Sequence, residues 1–83
     1  MAGPRRTRPL RDGAMPELAR IAEAFADRRV ALRLTQQTLA DLAGVSRYSV
    51  QSLEQGTGST KINSVLEIAD VLGLRIGVSA TSE

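Results

Sequence analysis

The 83-residue chain contains no cysteine and no histidine. Those two absences exclude disulfides, thiolate chemistry, the usual zinc ligand sets, Ser-His triads and imidazole acid–base catalysis. No other acid–base residues are arranged to converge on a pocket, so we expect no enzyme, no bound metal and no cofactor. The sequence lacks any run of roughly 18 consecutive apolar residues. Its basic N-terminus lacks the apolar core of a secretion signal, so the expected location is the cytoplasm, without a membrane partner.

Net positive charge is also missing from the part that should fold. Residues 1–15 hold four arginines, Arg5, Arg6, Arg8 and Arg11, against Asp12, whereas residues 16–83 hold seven basic and eight acidic side chains. A general argument from basicity to nucleic acid therefore fails for the folded part. Any phosphate contact there must come from the placement of individual side chains. Pro4, Pro9, Gly3 and Gly13 accompany the arginines with almost nothing apolar, which predicts a flexible arm over 1–15. Its default role is a solvated tail; the alternative is tracking of a DNA backbone or minor groove.

What the chain does have is helical periodicity. From Pro16, suited to a first helical turn, Leu18, Ile21, Ala22, Phe25 and Leu32 recur at helical spacing to about Arg33. Thr35 is a good N-cap for a second helix whose apolar side is Leu39, Leu42 and Ala43 and which stops at Gly44. Ser46 caps a third, with Val50 and Leu53 inward and Tyr48, Gln51, Ser52 and Gln55 on the opposite side. Two short helices joined by a tight glycine turn across 35–56 have the geometry of a DNA-reading helix-turn-helix. The hydrogen-bonding groups on the outer face of the third helix suit base edges. A fourth helix is predicted near 61–72, with Thr60 as cap, Ile62, Val65, Leu66, Ala69 and Leu72 inward, and Gly73 ending it. The run Gly56-Thr57-Gly58-Ser59-Thr60-Lys61 lacks the residue order of a phosphate loop and no strand precedes it, so nucleotide binding is set aside.

Residues 74–80 change period to strict alternation, with Leu74, Ile76 and Val78 on one side, which predicts a half-buried strand. A lone strand needs an outside partner, most simply its own copy across a two-fold axis, and a domain this small gains stability from oligomerisation. Ile68 and Val71 lie off the expected inward stripe of the fourth helix and extend the same dimerisation surface. Arg29 interrupts the apolar stripe of the first helix and Glu54 lies beside the inner face of the third. Two opposite charges both pointing inward predict a partly buried pair locking these helices together.

The series Thr35-Gln36, Leu39-Ala40, Gly44-Val45-Ser46, Val50, Leu53-Glu54 and Gly56, continuing through Ile62, Leu66, Ile68-Ala69 and Leu72-Gly73-Leu74, resembles the Xre/Cro, lambda-repressor-like helix-turn-helix family. The resemblance covers about residues 17–74. It implies an all-α, four-helix DNA-binding domain over 16–73, followed by the dimerisation strand 74–80 and a tail 81–83. By position, it assigns a phosphate contact to Gln36, at a helix N-terminus that favours anions, and a secondary one to Ser46. Base reading falls to Arg47, Tyr48, Gln51 and Ser52. Arg47 is open to either a guanine edge or a phosphate, and Tyr48 to a thymine methyl, a sugar or a phosphate. A strand directly after the fourth helix resembles the HipB-type antitoxins. That resemblance implies a homodimeric, nucleoid-associated repressor of its own operon, binding a palindromic operator and neutralising a HipA-like kinase or another toxin. The competing expectations are a stand-alone regulator with no toxin partner and a toxin-binding inhibitor that uses the fold as scaffold.

Overall fold

The computed structural model describes residues 16–81, in which four helices are present: α1 Pro16–Ala31, α2 Gln36–Ala43, α3 Arg47–Gln55 and α4 Ile62–Leu72. The arginine arm of residues 1–15 lies outside the described residues. Helix α2 packs against both α3 and α4, and α1 closes over α3 and α4 from the other side. The core they share comprises Phe25, Leu39, Ala40, Ala43, Val50, Leu53, Ile68, Ala69 and Leu72, with Leu34, Val45, Val65, Val71 and Leu74 packed around it.

The helix ends explain why such short elements are sharply bounded. Thr35 and Ser46 cap α2 and α3 as expected, their hydroxyls accepting from the backbone N–H groups of Thr38 and Ser49 at 3.0 and 3.1 Å. Every C-terminus closes with the same paired turn, in which a residue in the left-handed region bonds back three residues and its successor bonds back five. The pairs are Arg33 to Val30 with Leu34 to Arg29, Gly44 to Asp41 with Val45 to Ala40, Gly56 to Leu53 with Thr57 to Ser52, and Gly73 to Asp70 with Leu74 to Ala69. The successors Leu34, Val45 and Leu74 then drop onto the core, so three of the four turns also deliver an apolar anchor. Gly44, at φ 72°, takes this conformation without strain. Arg33 takes it at φ 62° with a Cβ, and ends α1 at Ala31, about two residues before the predicted boundary. Leu32 consequently leaves the helix and is exposed, contrary to its place in the predicted stripe.

Four further expectations are corrected. Leu42 is 60% exposed, because α2 buries Leu39, Ala40 and Ala43 between its neighbours and turns position 42 outward. Helix α4 carries two overlapping apolar stripes that share Val65, Ala69 and Leu72. Packing selects the one through Val65, Ile68, Ala69 and Leu72, which leaves Ile62 at 68% and Leu66 at 48% exposure. Ile68 is fully buried in this core and so is not free to form the dimerisation surface assigned to it with Val71, which packs against the core and is half-buried. Finally, α4 begins after Lys61 without a side-chain cap; the Thr60 hydroxyl instead donates to the Ser49 carbonyl at 3.4 Å, tying the loop to α3.

Residues 74–81 contain no strand. A strand is defined by its ladder of hydrogen bonds, and a single chain with no other extended segment among its described residues offers no second edge. Leu74 rests on the core, Ile76 is 38% exposed and Val78 is fully exposed. Among the described residues no helix is long and apolar enough to cross a membrane.

Candidate nucleic-acid interface

The start of α2 and the start of α3 bring the expected contact residues to solvent. Gln36 is the first residue of α2 and is half-buried. Arg47 and Tyr48 open α3 and are exposed, Tyr48 to 70%, with Gln51 half-exposed one turn later. Ser46 serves α3 as its N-cap, and its hydroxyl also lies 3.1 Å from that of Ser49.

Ser52 does not join this surface. It is 3% exposed, because the loop after α3 folds back over it: its hydroxyl meets that of Ser59 at 3.2 Å, and Thr57 bonds to its carbonyl through both N–H and hydroxyl. Helical periodicity placed Ser52 outward, but it carries no information about a loop that covers the helix. The same fold-back builds a polar groove beside Tyr48, lined by Ser49, Ser59, Thr60, Lys61 and Ser64 as well as Ser52. The hydroxyl-rich run 56–61 is visible in the sequence, but only the fold sets it against the exposed end of α3.

Behind this surface the Arg29–Glu54 pair is formed as expected. Arg29 Nε donates to Glu54 Oε2 at 2.6 Å and Nη2 to Oε1 at 3.1 Å, while Nη1 donates to the Leu34 carbonyl at 2.7 Å. The side chains retain 17% and 9% exposure, so both charges are largely but not wholly removed from water. Hydrogen bonding to Glu54 raises the Arg29 pKa, partial desolvation opposes the rise, and the Glu54 charge adds to it. Glu54 Oε1 also accepts from Gln36 Nε2 at 2.9 Å, so α2 joins the network. Arg28 supplies a contact that sequence reasoning missed. Its Nε donates to the Leu72 carbonyl at 2.8 Å, placing a cation at the negative end of α4. Nothing local in the sequence signals a contact between residues so far apart.

A family model described as helix-turn-helix matches residues 25–78, more than half of the chain. The chain belongs to that family, of the Xre, lambda-repressor-like kind. This helix-turn-helix protein is thus a DNA-binding transcription regulator, with double-stranded DNA as its partner. No curated protein matches the chain. Among the described residues no group of acidic side chains stands close enough to hold a metal ion.

Proposed function

We propose that the protein is a cytoplasmic, homodimeric repressor that binds a palindromic operator through α3 and serves as the antitoxin of a toxin–antitoxin module. The observation that carries the DNA-reading part is the joint exposure of Arg47, Tyr48 and Gln51 at one end of α3, beside Gln36 at the start of α2. Arg47 and Gln51 reach base edges, Tyr48 contacts a methyl or sugar, and Gln36 with the N-terminus of α2 holds a phosphate oxygen. Dimerisation through residues 74–80 is supported by the alternation of Leu74, Ile76 and Val78 and by the exposure of the last two. Each protomer supplies one half-site, and the two copies of α3 lie about 34 Å apart, one turn of duplex.

The antitoxin role rests on the resemblance of this tail to HipB-type proteins, and a partner toxin is the feature that separates it from a stand-alone regulator. Genomic binding-site mapping together with affinity capture of the native protein and mass spectrometry tests both levels. Sites in the promoter of its own operon, plus co-purification of the product of an adjacent reading frame, are expected. Operator binding without such a partner would make it a stand-alone regulator. Capture of a toxin without operator binding would leave the fold as an inhibitor scaffold.

A further inference from the structure

A carboxamide has a donating end and an accepting end, and only the donating end suits a phosphate oxygen. Half a turn about the last side-chain bond exchanges the two, so a glutamine on an open surface presents either. Gln36 is not on an open surface. Glu54 Oε1 stands 2.9 Å from its Nε2, and an ionised carboxylate can only accept, so the carbonyl end of Gln36 is excluded from that place. Glu54 is in turn held by two bonds from Arg29, at 2.6 and 3.1 Å, and Arg29 by the Leu34 carbonyl at 2.7 Å. Gln36 gives one N–H to this chain of contacts and keeps the second.

We infer that Glu54 is a positioning residue for DNA binding: it fixes the amide of Gln36 so that the remaining N–H is always the group available to phosphate. This rests on the reading that Gln36 holds a phosphate. The Arg29–Glu54 pair then has two separable effects, one on the stability of the domain and one on the affinity of the folded domain for DNA.

The test is a double-mutant cycle on binding, using a duplex recovered by genomic mapping and a scrambled duplex of equal length. Gln36→Ala should weaken both by about tenfold, the worth of one hydrogen bond to a charged group. Glu54→Gln preserves side-chain shape but offers an end that can donate as well as accept. It should weaken both duplexes by several-fold, measured well below its melting temperature, and reduce the further cost of Gln36→Ala to less than about twofold. Should Glu54→Gln lower only the melting temperature, with Gln36→Ala retaining its full cost beside it, Glu54 is structural and the inference is overturned. A Gln36→Ala variant that binds both duplexes like the parent removes the phosphate reading itself, and the inference with it. The wild-type protein gives a check that needs no variant to fold. In ¹⁵N spectra one side-chain amide proton of Gln36 should be displaced downfield and exchange more slowly than those of exposed Gln55. Two protons matching Gln55 would contradict the positioning role.

Discussion

Between Thr35 and Gly56 each helix end has a partner: two hydroxyl caps, two paired C-terminal turns, and an ion pair that reaches α2 through Gln36. Residues 77–81 are all exposed, Val78 fully, while Ile76 keeps 38% exposure beside Ile21 of α1. The first region ties its helix ends together internally and so forms a platform that holds Gln36, Arg47 and Tyr48 in fixed relation. The second carries apolar side chains that a single protomer leaves partly or wholly uncovered, and the worth of that surface depends on what covers it. Substitutions should therefore cost stability in the first region and association in the second.

The largest effect is expected at the ion pair. Arg29→Met leaves the Glu54 carboxylate largely desolvated and removes its two strongest bonds. Unfolding free energy should fall by about 2–4 kcal/mol, below the full cost of breaking a wholly buried pair because some water still reaches both groups. Denaturant titrations of Arg29→Met, Glu54→Gln and the double variant should give a coupling of about 1–3 kcal/mol, and strict additivity would deny the contact. A smaller change of opposite sign is expected at the end of α1. Arg33→Gly relieves a side chain held at positive φ, and should raise stability by about 0.5–1 kcal/mol after the added freedom of the unfolded chain is counted. A loss on thermal melting would show that the Arg33 side chain matters more than its backbone. The smallest effect on protomer stability belongs to the tail. Val78→Asp, at a fully exposed position, should change it by no more than about 0.5 kcal/mol, yet shift dimer to monomer in analytical ultracentrifugation and weaken operator binding. A variant that remains dimeric would remove the tail from the interface.

Local signals in the sequence specified the helices well, because caps and glycine stops act within a few residues. Thr35, Ser46, Gly44, Gly56 and Gly73 all do in the structure what their types prescribe. Even the Arg29–Glu54 pair was legible, since a charge inside an apolar stripe demands an opposite partner. Arg33 was not, because arginine is not a stop signal and its left-handed turn is driven by the drop of Leu34 onto the core. The rotation of α4 was also hidden: two stripes through Val65 and Ala69 satisfy the helical period equally, and only the shape of the pocket left by α2 and α1 selects Ile68 over Ile62 and Leu66. The surface positions of Gln36, Arg47, Tyr48 and Gln51 were readable from helix position. Ser52 and the groove at Lys61 depend on a loop folding back, which periodicity does not encode.

The exposed start of α3 as the reader of sequence is the claim on which the proposed function stands, and Arg47 tests it most directly. Wild type and Arg47→Ala should be titrated at one fixed salt concentration against the mapped operator and a scrambled duplex of the same length. The expected result is a loss of about 1–3 kcal/mol on the operator, a much smaller loss on the scrambled duplex, and relaxed preference at one base pair per half-site. Equal losses on both duplexes would reduce Arg47 to a phosphate contact, and no loss on either would contradict the assignment of this end of α3 to base recognition.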